Sequence, residues 1–378
     1  MATELSGSYQ PRLAWVLGAL VIVAIVSFFS AKPQASSILW VAECGAYLTG
    51  DETYVLVADI LGCDESSPAV TVVGPAKLKL NGHFISCAPE VDGSVKDGTI
   101  GILVEGLDAD VLGTGKLAPR PDGAPSNTIT GCQQGIVLNG DGDHFVQGVT
   151  VTRSTDGAFV VESDENKLIG NIARQAEAWA NSDTIEGNGF VISGNKNELV
   201  SNVASDVESE DGGAGFSIEG DSNILEHNLS KDNVAYGYLV SGAANVLNGN
   251  TALKNELHGF FVGVEAEENL LKHNNSFENG DEPGVGIAAS GFHVEGSGNK
   301  LEENLATRNG IFGIHLTATA GSNVLSRNTA SDSFGFIGLD AAGNPIGSGF
   351  DLVDDGADCG TNRWYLNIFG TRSKSCIK

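Results

Sequence analysis

The chain has 378 residues, 50 of them glycine and one methionine, and a formal net charge of −27. That length can bury a sizeable core, and such acidity excludes nucleic acid as a partner, because phosphates require basic surface. The same acidity suits solubility in a salty or extracellular medium, or divalent cations, calcium above all, held by clustered carboxylates.

Residues 1–12 form a short leading segment ending in Arg12. Residues 13–30, Leu13 to Ser30, carry no charge and are mostly apolar. They are long enough, as a hydrophobic helix, to cross a bilayer. The two readings are an uncleaved signal anchor and a cleaved signal peptide; the cleavage candidates near Ala31 and Ala35 match a small-x-small site poorly. Either places the rest of the chain in the secretory lumen or outside the cell, touching a membrane only through its N-terminal segment. Residues 31–43 read as a linker.

Six cysteines lie outside the central repeats. Their spacing lacks the CxxC of a metal site and fits disulfides in an oxidising compartment. Cys44 with Cys63 would clamp the N-terminal end, Cys87 with Cys132 would tie neighbouring segments, and Cys359 with Cys376 would clamp the C-terminal end.

Residues 44–378 form one repetitive domain. The motif Asn-x-(Leu/Trp)-x-x-Asn occurs eight times, from Asn166-Lys-Leu168-Ile-Gly-Asn171 to Asn362-Arg-Trp364-Tyr-Leu-Asn367. Gly215, Gly237 and Gly259 open successive units 22 residues apart. Within a unit apolar residues alternate over three short stretches, which is strand periodicity, and Gly and Asn punctuate them, which is corner chemistry. A unit too small to bury its own apolar face must stack on its neighbours. The pattern predicts an all-β solenoid of about eleven turns from about residue 70 to 370. The column Leu168, Leu199, Leu225, Leu247, Leu271, Leu301 and Leu325 points inward, and the corner asparagines form hydrogen-bonded ladders. Insertions at 174–187, 206–214, 280–290 and 333–348 map to one face. The sequons Asn228-Leu-Ser230 and Asn274-Asn-Ser276 sit on ladder asparagines and read as unmodified.

With these repeats the chain resembles the right-handed parallel β-helix proteins of the pectate-lyase-like superfamily, nearest to members with NosD-like or epimerase-like repeats. The opening Cys44-Gly-Ala46 … Leu78-Lys-Leu80-Asn81-Gly82-His83 and the closing Cys359-Gly-Thr-Asn362-Arg-Trp364 carry the same resemblance. It covers about residues 44–376 and is specific for fold, not activity, since the fold hosts lyases, hydrolases, epimerases, esterases and adhesins.

Aligning the units on their first glycine gives an outward column: Val137, Phe159, Val191, Ser217, Leu239, Phe261, His293, His315, Asp351. Two histidines on successive turns with a carboxylate beyond them can bind a metal or supply a general base with its orienting acid. His293, His315 and Asp351 are therefore the candidate catalytic residues. Asp354 and Asp355, in the tightest acidic loop, are candidate calcium ligands. His227 and His273, two turns apart, and the lone His258 read as corner or structural residues. The basic residue beside a calcium site that a lyase of the family would show is missing from the column, as is the Asp-Pro-His run of alginate epimerases. A single Met is poor provision for copper. The resemblance implies a monomeric, secreted or anchored protein that binds or modifies polysaccharide as a lyase, epimerase or hydrolase. The alternative is a non-catalytic rod for display, adhesion or glycan binding.

Overall fold

The computed structural model describes residues 38–64, 68–90, 95–113, 126–174, 187–208, 213–280, 289–333 and 349–378. The hydrophobic helix expected over 13–30 lies outside these residues, as do the central parts of the four insertions. Among the described residues no helix is long and apolar enough to cross a membrane.

Among the described residues short strands recur in a fixed order and stack into three parallel sheets, A of 13 strands, B of 12 and C of 12. From Thr53–Leu56 onward each coil runs through a strand of sheet A, then C, then B; the first passes from Ile38–Val41 of sheet A directly to Ala46–Leu48 of sheet B. The expected right-handed parallel β-helix is thus observed. It begins earlier than about residue 70, because Ile38–Val41 already pairs in register with Thr53–Leu56. The coil therefore starts inside the stretch read as linker. The insertions at 174–187, 206–214, 280–290 and 333–348 all join a strand of sheet C to the next strand of sheet B.

Sheet A strands have three residues in the central turns, with the Leu of each motif fully buried in the middle. Asparagines flank it and form the expected ladders. The backbone N–H of Asn197 donates to Asn223 Oδ1 at 2.7 Å, that of Asn223 to Asn245 Oδ1 at 2.7 Å, and that of Asn245 to Asn269 Oδ1 at 2.8 Å. A second ladder runs on the other side of sheet A, where the N–H of Asn202 donates to Asn228 Oδ1 and that of Asn228 to Asn250 Oδ1. A third follows sheet C, through Asn233, Asn255, Asn279 and Asn309. A corner turns the N–H away from the sheet ladder, and each Asn supplies the acceptor that a buried donor needs.

The core between sheets B and C is asymmetric. Sheet B contributes a continuous stack, Phe159, Phe190, Phe216, Tyr238, Phe260 and Phe292, with successive centroids 4.6–4.9 Å apart. That distance is the strand spacing, so the backbone sets the stacking. Facing it, sheet C places small residues, Ala173, Ala204, Ser230, Ala252, Ser276, Ala306 and Ala330, in one register column. The approach is closest where sheet B begins: a Cβ on Gly215 would lie 2.1 Å from Ser230 Oγ, and one on Gly237 2.5 Å from the Gly259 carbonyl. Glycine is required there by the neighbouring coil.

All three expected disulfides are present, Cys44–Cys63, Cys87–Cys132 and Cys359–Cys376. Such bonds belong to an oxidising, extracytoplasmic compartment.

Candidate functional site

The outward column of sheet B is Val137, Val160, Val191, Ser217, Leu239, Phe261, His293, His315 and Val353. Two members differ from the column expected from the sequence. Phe159 belongs to the inner aromatic stack, and Val160 takes its place outside. Asp351 is not beside the histidines either: it pairs with Gly313, and Val353 follows His315. The glycine that opens a turn sets the alignment, but Gly349 lies two residues ahead of the true glycine column. Asp351 can stand in that column because no further coil of sheet B crowds it. Its carboxylate accepts from the N–H of Gly370 at 2.9 Å, the N–H of Thr371 at 2.8 Å and the Thr371 hydroxyl at 3.1 Å, and so fixes the C-terminal segment.

Asp354 is likewise a structural carboxylate. Fully buried, it accepts from Gly356 N–H at 2.9 Å, Asn362 Nδ2 at 3.1 Å and Trp364 Nε1 at 2.9 Å. Asp355 serves a histidine instead, with its Oδ2 2.9 Å from His315 Nε2. One turn away, Glu295 Oε1 lies 3.3 Å from His293 Nε2. Both carboxylates of the expected calcium pair are thus engaged by protein groups. Among the described residues no group of three or more His, Cys, Asp or Glu is gathered as a metal cage.

His293 and His315 pair in register, with ring centroids 4.8 Å apart in an edge-on arrangement. The third member is His258, which the sequence pattern alone marks only as structural. Its ring stacks on His293 at 4.4 Å, and its Nδ1 accepts the N–H of Ser290 at 2.9 Å. Tyr236, Phe261 and Phe312 complete a patch of six rings: Tyr236 contacts His258 and Phe261, Phe261 stacks on His293 at 5.3 Å, and Phe312 lies 4.7 Å from His315. A signal for His258 is present in the sequence. The residue just before each opening glycine reads Tyr236, His258, Ser290, Phe312 on successive turns.

Burial, then the neighbouring charges of His293 and His315, push the pKa of His258 down to about 3. Burial is also the main cause that lowers the pKa of His293; the proximity of His315 adds to it and the hydrogen bond to Glu295 opposes it. Near neutrality these two imidazoles are uncharged. In neutral His293 and His315 the hydrogen bond to a carboxylate assigns the proton to Nε2. Nδ1 is then a bare acceptor. In both residues it is buried and has no hydrogen-bond partner among the described residues. The two unpartnered nitrogens are closed to solvent as the rings stand; a ligand hydroxyl or acidic C–H reaches them only when a ring turns, and they can then accept its proton.

His227 and His273 are corner residues, as expected. The ring of His227 covers Gly249, and His273 Nε2 pairs with Glu303.

Comparison with known proteins supports this architecture. One family model matches. It is the periplasmic copper-binding protein NosD, over residues 124–294. No curated protein matches the chain. Among solved structures, the Dettilon tailspike protein superposes with a TM-score of 0.57 at 14% identity, over 78% of this chain and 59% of its own. This chain thus spans less than two thirds of the tailspike's length. The periplasmic alginate epimerase AlgG matches with a TM-score of 0.41 at 13% identity, over 86% of this chain and 78% of its own. Pectate lyase Pel9A matches with a TM-score of 0.41 at 15% identity, over 91% and 79%. The resemblance to right-handed parallel β-helix proteins is borne out.

Proposed function

We propose that the chain is an exported polysaccharide-modifying protein that works on the outer face of sheet B. His293 with Glu295 and His315 with Asp355 are its acid–base pairs, and Tyr236, Phe261 and Phe312 its stacking surface. The observation that carries the reading is the pair of adjacent buried imidazoles, each held through Nε2 by a carboxylate and each presenting an unpartnered Nδ1. A sugar hydroxyl or water admitted between them by a turn of the rings meets a base on one side and, once one ring is protonated, an acid on the other. Aromatic faces alongside suit the apolar face of a sugar ring.

The copper named for the NosD family fits less well. Two imidazole nitrogens and no further gathered ligand among the described residues fall short of a transition-metal cage.

Assays on pectate, alginate, neutral glucans and amino-bearing glycans, each with and without calcium, test the reading. Product is followed by new reducing ends, by ultraviolet absorbance of unsaturated ends, and by NMR for epimerised residues. The expected result is turnover of at least one glycan, reduced about 100-fold or more in His293→Ala and in His315→Ala, within the usual worth of a general acid or base. Binding without turnover in every arm would replace this reading by a non-catalytic glycan-binding rod.

A further inference from the structure

The same face carries information about substrate charge, and this inference rests on the polysaccharide reading above. Two residues beyond each member of the outward column from Val160 onward lies a second column, which borders sheet B: Glu162, Ser193, Glu219, Ser241, Gly263, Glu295, Thr317 and Asp355. Their backbone N–H groups continue the sheet B ladder, as in Glu219 to Ile192, Glu295 to Val262 and Asp355 to Leu316. Four of the eight are carboxylates. With coils stacked about 4.8 Å apart, Glu162 and Asp355 stand seven coils, about 34 Å, from each other along the face. Glu162, Glu219 and Asp355 are exposed, and Glu295 is half-buried.

Balancing cations are absent from the strands of this face. Every strand of sheet B from Cys132–Leu138 to Phe350–Asp354 lacks lysine and arginine. Lys96 lies at the start of an N-terminal strand, opposite Cys132. Lys374, near the other end, gives its Nζ to the Gly356 carbonyl at 2.5 Å. Ion pairs of lysine and arginine form on sheets A and C or at their corners, for example Lys167 with Glu198 and Arg308 with Glu278. The border carboxylates are two or three coils apart, about 10–14 Å. At that separation two of them do not converge on one cation, in line with the missing metal cage among the described residues.

The floor adds a second observation: in His293 and His315 Nδ1 is buried with no hydrogen-bond partner among the described residues, while Nε2 of each meets a rail carboxylate, Glu295 or Asp355. A ring that gives its Nε2–H to a carboxylate leaves Nδ1 to receive a donor, and the exposed rail carboxylates receive donors as well. We infer that the glycan bound here presents hydrogen-bond donors, hydroxyl or ammonium groups, and carries no carboxylate or sulfate. A polyuronate would set its charges against Glu219, Glu295 and Asp355 with no basic residue of these strands to receive them, and like charges on a low-dielectric face repel. Hydroxyls and ammonium groups donate to carboxylates, in charge-assisted bonds stronger than neutral ones. Of the floor column, Val191, Leu239 and Phe261 reach solvent, while Val137, Val160, Ser217, His293, His315 and Val353 are buried. Glu219 borders that part of the floor and belongs to neither imidazole pair.

Affinity electrophoresis and calorimetry on the full chain, using a neutral β-glucan, chitosan, alginate and pectate, each in chelator and in calcium, test the inference. Binding to the glucan or to chitosan, with no binding to alginate or pectate in chelator, is expected; which of the two is held tells hydroxyl from ammonium. Glu219→Gln should weaken that binding about threefold to tenfold, the loss of one charged acceptor, with an unchanged melting temperature. Alginate or pectate bound as tightly as the neutral polymer, in chelator or only with calcium, would overturn the inference and leave the polysaccharide reading standing. Absence of binding to all four polymers would overturn both. Glu219→Gln binding as wild type would remove the rail from recognition and with it the inference.

Discussion

Asn228→Ala measures what the corner ladders contribute. In the intact chain Asn228 Oδ1 accepts the N–H of Asn202 at 2.8 Å and its Nδ2 at 3.0 Å, while Asn228 Nδ2 donates to the Leu199 carbonyl at 2.8 Å and to Asn250 Oδ1 at 3.0 Å. Alanine removes all four bonds, with unequal consequences. Asn202 Nδ2 keeps the Leu168 carbonyl, and Asn250 Oδ1 keeps the N–H of Asn228. The N–H of Asn202 has no such reserve and becomes an orphan inside a buried corner. An unsatisfied buried donor costs about 1–3 kcal/mol, and each of the three further bonds lost about 1 kcal/mol, so a total of about 4–6 kcal/mol is expected. Asn248→Ala, two residues before the next ladder position, is the control. It forfeits two long bonds on the outer face, 3.3 Å to Glu226 and 3.4 Å to His273 Nδ1, and should cost about 1 kcal/mol or less. Urea midpoints and native-state proteolysis of both variants supply the comparison. Because solenoid units couple only to their neighbours, Asn228→Ala should open the chain locally before it melts globally. If the two variants agree within about 1 kcal/mol, the ladder is a geometric regularity with little energetic weight.

Three further outcomes are expected. Buried neutral His258 titrates near 3 in the folded chain against about 6.5 unfolded. Acid therefore favours the unfolded state from pH 6.5 downward, at about 1.4 kcal/mol per pH unit or about 2 kcal/mol by pH 5; His144 and His293, also shifted down by burial, act in the same direction. Melting temperature should fall between pH 7 and pH 5, and less steeply in His258→Asn, whose amide oxygen can accept the Ser290 N–H; an unchanged slope would count against this assignment. Replacing Cys359 and Cys376 by serine opens a 17-residue link and should cost about 3 kcal/mol. Limited proteolysis should then cut first beyond Asp354. Asn228 and Asn274 lie in sequons yet are 1% and 0% exposed, so expression in a glycosylating host should give no mass shift at either site after deglycosylation.

The fold is legible because the repeat states its own geometry. Asparagine marks corners where a backbone donor needs an acceptor, leucine marks the inner face, and glycine marks where coils touch. The site is legible only as far as those marks hold. His293 and His315 share a column because both follow a true column glycine by two residues. Asp351 falls out of place at the last turn, where the steric demand for glycine ends and the glycine has drifted, and Phe159 at a turn where Gly157 lies one residue ahead of the column. Asp355, expected as a cation ligand, serves His315, a pairing that depends on how a loop leaves the last strand. His258 escapes the pattern because it lies two residues before the inner strand position, and sequence alternation alone does not tell that its ring leans onto the next turn.

The constancy of the aromatic stack and the asparagine columns gives the chain a unit of growth. Coils differ in length mainly by insertions between sheets C and B, yet the central coils each advance the sheets by one strand and return to the same asparagine columns. A gene segment encoding one coil, gained or lost in register, would lengthen or shorten the outer face by one strand width and leave both neighbours a matching surface. Reach along a linear polymer can then be adjusted in discrete steps, while the imidazole pairs near the C-terminal end stay fixed.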